Sequence, residues 1–308
     1  NESLGYTEWT LKNGIKVVVR PSTLKADEVI ISATAKGGQS MLSDADYFHG
    51  DYLAMVMQQS GISKFSATEL AKQLSGKSAH ASTGVGAYEH AVNASGSPKD
   101  IETILQLMYL NFTAPRFDET DLQNLKNMYV PYFRNMEADP GYLMGKAFQE
   151  TLYQNHVRRQ ATSAAQIESL NLETLASVHK QLFSYADDFR FVIAGNVDLK
   201  TLKPLVEKYI GSLPTSKKVE YAVVDDGVRT ATGKVTNDFR VAMQQPKVSV
   251  YLTFSGAIED NAKNRLVLDL LTRALDSRYM VSIREEKGGT YGVHVQGGIN
   301  EYPVEQYM

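Results

Sequence analysis

Apolar and polar residues alternate through the opening stretch "WTLKNGIKVVV", which reads as two β-type runs joined at Asn13-Gly14. That dipeptide favours a hairpin because both residues tolerate positive φ. "EVIISATAKGG" reads as the next strand, with Val29, Ile31, Ala33 and Ala35 on one face. The period then becomes helical over about 44–60, opened by Ser43 and closed by Gly61. A second helix starts in "SATELAKQLSG", where Ser66 and Glu69 have capping-box spacing. "KSAHAST" and "YEHAVNAS" alternate again and read as neighbouring strands. Ser97-Pro98 opens a helix carrying Ile101, Ile104, Leu105, Met108 and Tyr109 at helical spacing. Helices follow over 118–137, with a kink expected at Pro131, over 140–153 and over 171–184. "FRFVIAGNVD" reads as a buried strand and "LKTLKPLVEKYIGSLP" as a helix ended by Gly211 and Pro214.

Residues 214–240 turn polar, with Lys217-Lys218 and Asp225-Asp226, and read as a linker plus an edge strand. The programme then restarts. "KVSVYLTFSG" places Val248, Val250, Leu252 and Phe254 where Val29, Ile31, Ala33 and Ala35 stood. "NAKNRLVLDLLTRALDS" repeats the first long helix, "VSIREEKGG" the short one and "TYGVHVQGG" the strand after it. The expected fold is α+β: two similar domains, each a mostly antiparallel sheet covered by helices, the second truncated. Residues 1–220 form the first domain; residues 221–308 hold the linker, the edge strand and the incomplete second domain. The apolar face of Leu266, Leu270, Leu271 and Leu275 is expected to pack on the first domain, to self-associate with another chain, or both.

Composition narrows the picture by exclusion. A net charge of −3 lacks the basic footprint of a nucleic-acid binder, so no nucleic-acid partner is expected. No apolar run reaches the length of a membrane span. Zero cysteines exclude disulfides and thiolate metal sites without fixing the compartment. "NESLGYTEW" is neither an initiator methionine nor a signal peptide, so the chain is expected to begin inside a longer polypeptide.

None of the six histidines pairs as two imidazoles around a glutamate on a helix, in either order. His80 and His90 could face each other across a hairpin; as polar strand positions they need no metal. There is no G-x-S-x-G elbow, and "STGVGAY" reads as a hairpin turn rather than a phosphate cradle. The remaining motif is "REEKGGTYGV". Arg284 is expected at the end of a short helix, Gly288-Gly289 allows a tight turn, and the next strand is expected to begin at Thr290 or Tyr291. A guanidinium and a phenol converging there could hold a carbonyl oxygen that gains negative charge. On spacing alone, Arg284 pairing with a surface acid and Tyr291 as a strand aromatic is the simpler account.

"REEKGGTYGV", placed after a strand and a long helix, resembles the C-terminal-half signature of the pitrilysin/insulinase-type zinc peptidases, the inverzincins, above all their bacterial two-half members and the related processing peptidases. "WTLKNGIKVVVRPS" resembles the family's opening hairpin, and "SATELAKQLSGKSAHAS" and "FVIAGNVDLKTLKPLVEKYIGSLP" resemble later segments in the same order. The resemblance implies a non-catalytic half that forms one wall of a peptide chamber. Its partners would be the zinc-bearing N-terminal half and a peptide substrate. Zn2+ and the H-x-x-E-H motif would belong to that other half. The aligned stretch here, "DYLAM" from Asp51 to Met55, lacks the motif, and His49 lies out of register, so neither catalytic residues nor metal ligands are expected in this chain. By motif match, Arg284 and Tyr291 would contact substrate near the scissile carbonyl. Thr290 departs from the glycine or alanine that many members place before the tyrosine. The alternative is a non-enzymatic core-type or pseudo-peptidase subunit, separable only by the upstream sequence. An unrelated α/β small-molecule binder would need a mostly parallel sheet. For a bacterial member the resemblance admits a periplasmic home, which no residue here marks.

Overall fold

The computed structural model describes residues 5–216 and 220–308. Lys217-Lys218 of the expected linker lies outside the described residues. The chain divides into two compact units, Asn1–Tyr142 with Ala161–Val224, and Leu143–Gln160 with Asp225–Met308.

The first unit begins with the hairpin of β1 (Thr7–Thr10) and β2 (Lys16–Pro21), followed by β3 (Val29–Lys36), helix α1 (Tyr47–Ser60) and helix α2 (Ala67–Gln73). After them come β4 (Ala79–Val85), β5 (Glu89–Gly96), α3 (Ile101–Thr113), α4 (Glu119–Met136) and α5 (Pro140–Leu152), the last passing into the second unit. Back in the first unit stand α6 (Ala164–Ser169), α7 (Leu172–Phe183), β6 (Arg190–Gly195) and α8 (Leu199–Tyr209). The six strands form one sheet in the order β1-β2-β6-β3-β5-β4, antiparallel except for the β2–β6 pair.

Local sequence explains these elements. Val29, Ile31, Ala33 and Ala35 are buried while the residues between them are not, as an alternating half-buried strand requires. Gly61 closes α1 at φ +88°, where a Cβ would stand 2.3 Å from the Phe65 carbonyl oxygen, so only glycine fits. The capping box of α2 forms as spaced: the Glu69 N–H donates to Ser66 Oγ and the Ser66 N–H to Glu69 Oε2. Ser66→Ala is expected to cost about 1 kcal/mol, read as a lower denaturant midpoint at unchanged slope. Helix α4 runs from Glu119 to Met136 through Pro131.

The core lies between one face of the sheet and the helices. Its centre is an aromatic cluster in which Phe183 sits 5.3 Å from His90, 5.2 Å from His179 and 6.2 Å from Phe189, centroid to centroid. Tyr221 enters the same cluster. Its ring meets His90 edge-on at 4.8 Å, its hydroxyl donates to the Tyr185 carbonyl and its N–H to Asp188 Oδ2.

The second unit departs from expectation. It contains β7 (Gly256–Ala257), α9 (Ala262–Tyr279), β8 (Ile299–Asn300) and β9 (Gln306–Tyr307), the strands forming a small antiparallel sheet in the order β7-β9-β8. The long helix forms where the repeat places it. The expected strands over "KVSVYLTFSG" and "TYGVHVQGG", and the edge strand within 221–240, do not form among the described residues. A strand persists only as a member of a ladder, and no ladder pairs these segments. Val248 is 87% and Leu252 76% exposed, and Leu266, Leu270 and Leu271 of α9 are exposed as well. Residues 280–285 do not make a separate short helix; they continue α9 as a widened π-type turn.

Candidate functional site

Helix α9 is capped by Asn261, whose Oδ1 accepts from the Asn264 N–H. The π-type turn that extends it carries Arg284. The Gly289 N–H then donates to the Ile283 carbonyl at 3.0 Å and the Gly288 N–H to the Arg284 carbonyl at 3.1 Å. Gly288 takes φ +59°, a left-handed conformation that glycine adopts without a Cβ penalty. This is the tight turn the two glycines imply.

Arg284 is exposed; its Nη1 lies 3.7 Å from Met280 Sδ, one turn back, and no carboxylate among the described residues pairs with it. Tyr291 is fully exposed at 101%. The strand expected to begin there is replaced by a turn, in which Thr290 Oγ1 donates to the Gly292 carbonyl and accepts from the Gly292 N–H. Three residues further on, the Val295 N–H donates to Asp276 Oδ1, tying the segment back to α9. Both side chains are therefore presented to solvent on one helix–turn unit, and no contact among the described residues joins them. A ligand would have to bring them together.

The helix that the resemblance sets against a metal-binding one is α1, and its residues do not fit zinc. Asp51 to Met55 read Asp-Tyr-Leu-Ala-Met. His49 is buried, its Nε2 lies 3.2 Å from Asn171 Nδ2, and burial holds it below the ordinary histidine range. Among the described residues no three histidines, aspartates or glutamates gather as a metal site. The hairpin pairing of His80 with His90 is corrected by the register: His80 stands opposite Ser95 and His90 opposite Val85. His90 points into the core, where its Nδ1 accepts from the Gly38 N–H at 3.2 Å and burial lowers it to about 4.

That depression has a stability consequence. Above pH 6.5 His90 is neutral both folded and unfolded. Between pH 6.5 and about 4 the unfolded chain takes up a proton that the folded chain refuses, so stability falls as the pH falls through this window. Burial shifts His49 and His179 in the same direction. Melting temperature is expected to drop steadily from pH 7 to pH 4.5, and less steeply in His90→Gln, whose amide does not titrate.

The sequence reading passed over the open face of the six-stranded sheet. There Lys16 and Arg20 of β2 and Arg190 of β6 stand exposed, at positions the strand alternation already assigned to the polar side.

Residues 169–303 match the family model described as the Peptidase M16 inactive domain. The probable zinc protease PqqL of Haemophilus influenzae is 19% identical over 288 residues, covering 93% of this chain and 30% of that protein. Its Escherichia coli counterpart, also described as a probable zinc protease, is 23% identical over 296 residues, covering 93% and 31%. The chain thus spans about a third of the length of these curated relatives. The crystal structure of the periplasmic protease PqqL from Escherichia coli superposes with a TM-score of 0.81 at 21% identity, over 98% of this chain and 33% of that one. Over residues 169–303 the chain thus matches the inactive domain of the M16 peptidases, and over nearly its whole length it is similar to about a third of probable zinc proteases and shares the fold of one of them.

Proposed function

We propose that this chain is the non-catalytic half of a zinc-dependent peptidase, forming one wall of a peptide-binding chamber and contacting the substrate through Arg284 and Tyr291. The observation that carries the reading is the turn after α9. It presents a permanently charged fork of donors and a phenolic donor, seven residues apart, neither committed among the described residues to an internal ion pair or hydrogen bond to oxygen or nitrogen. Such donors stabilise a carbonyl oxygen more as it gains charge than in the ground state. The zinc and the attacking water belong to the other half; this chain positions and polarises.

The test uses an internally quenched peptide. The 308-residue chain alone is expected to cleave nothing and to hold no stoichiometric zinc by metal analysis. Adding the separately produced zinc-bearing half of the same protein restores cleavage. One tightly held zinc per isolated chain, or hydrolysis without the other half, would overturn the reading.

The exposed apolar side of α9 bears on the isolated chain too. With Leu266, Val267, Leu270 and Leu271 all more than half exposed, self-association is expected. Light scattering after size exclusion should show mass rising with concentration. Leu266→Glu with Leu270→Glu should shift the chain toward monomer.

A further inference from the structure

We propose that the open face of the six-stranded sheet is a docking surface for an extended polypeptide rich in acidic side chains. The proposal rests on the chamber-wall reading and deepens it by naming the substrate class.

The first unit has two layers, so helices cover one face of the sheet and leave the other in water. Strand register places the residues of that second face in rows. One row runs Val18, Val192, Ser32, Asn93, Ser82; another runs Arg20, Ala194, Ile30, Ser95, His80. Most of these side chains are short, so the face is a shallow floor about 24 Å across at ordinary strand spacing. An extended peptide can lie on it alongside β2. Two aliphatic residues lie uncovered on the floor, Ile30 at 48% and Val192 at 42% exposed.

Charge on this face runs against the rest of the molecule. The chain as a whole carries a formal −3, yet the open face holds Lys16, Arg20, Lys36 and Arg190 against Glu8 and Glu89. Lys36 and Glu89 stand opposite one another in the β3–β5 register. No ion pair among the described residues engages Lys16, Arg20 or Arg190. Lys16 and Arg190 open the two paired strands β2 and β6, side by side, and Arg20 lies four residues along β2. That separation is about 13 Å, the spacing of carboxylates at every fourth residue of an extended chain. Side chains two apart on an extended chain share a face, so acidic residues four apart would meet these cations while aliphatic residues midway between them lie against Val192 and Ile30. Cations flanking an aliphatic floor favour such a chain over a basic one by charge complementarity.

The probe is a fluorescein-labelled decapeptide in which Glu and Val take turns at every second position with Ser between them, compared with the same peptide carrying Lys for Glu, by fluorescence anisotropy on the 308-residue chain. The acidic peptide should bind at least about tenfold more tightly at low salt, and the preference should shrink as salt rises. Lys16→Glu with Arg20→Glu and Arg190→Glu should reverse it. The milder set Lys16→Gln, Arg20→Gln and Arg190→Gln should abolish it with an unchanged melting curve. Equal binding of both peptides, or a preference intact in both triple variants, overturns the proposal. So does a light-scattering result in which the variants change only the oligomeric state, which would make the face a self-contact. Arg284→Ala in the complete enzyme tests the chamber-wall reading separately, because that residue lies in the other unit and its readout is kcat.

Discussion

Arg284→Ala, in the protein that also carries the zinc-bearing half, is expected to lower kcat about 10²–10³-fold, the range for losing one donor to a developing oxyanion. KM should move by much less, because the contact strengthens only as the carbonyl gains charge. Arg284→Lys should recover part of the loss, since it restores the charge without the planar fork. Tyr291→Phe removes one neutral donor and should cost less than the arginine change. Isolated-domain stability should be unaffected, for Arg284 is exposed and ion-pairs with no carboxylate among the described residues. An unchanged kcat in Arg284→Ala would remove the assigned role, whatever the binding of peptides elsewhere on the chain.

The largest stability effect is expected from Phe183→Ala, at about 3–5 kcal/mol. Phe183 is completely buried at the end of α7 and touches rings from several elements: Phe112 at 6.3 Å, His90 at 5.3 Å and His179 at 5.2 Å. Truncation leaves a cavity walled by rigid aromatic rings that cannot collapse into it. A fall in melting temperature on the order of 10 °C follows for a unit of this size. Leu266→Ala is the matched control. Leucine is as apolar as phenylalanine, but Leu266 is 59% exposed, so its loss should change stability by less than about 0.5 kcal/mol. Comparable losses at the two positions would mean that the aromatic cluster is not the centre of the core.

The first unit was legible in its local signals because each element there satisfies its own rules. Ser66 and Glu69 close the capping box their spacing announces, and Val29 to Ala35 alternate into the core. Helix α6 was missed although Ser163 and Gln166 form a capping box of their own, because six residues show too little period to stand out. Register was not legible: nothing local tells His90 that Val85, and not His80, stands opposite. In the second unit the same alternation at Val248 to Phe254 gave no strand, since pattern selects a face while pairing needs a neighbour. At the candidate site the order of helix, glycine turn and tyrosine was readable. The seven-residue spacing did not fix where Tyr291 points, because Thr290 folds its hydroxyl onto Gly292.

The position of β6 has a consequence for synthesis. Although it follows β3 by more than 150 residues, it is inserted between β2 and β3. Until Arg190 to Gly195 leave the ribosome, those two early strands have no shared neighbour and their apolar inner faces have no common sheet to rest on. The nascent chain must carry an open seam until β6 emerges, a topology whose distant pairings slow closure and which invites protection by a holding chaperone. A ribosome-stalled chain ending before residue 190 should be digested by protease far faster than one ending just past residue 213.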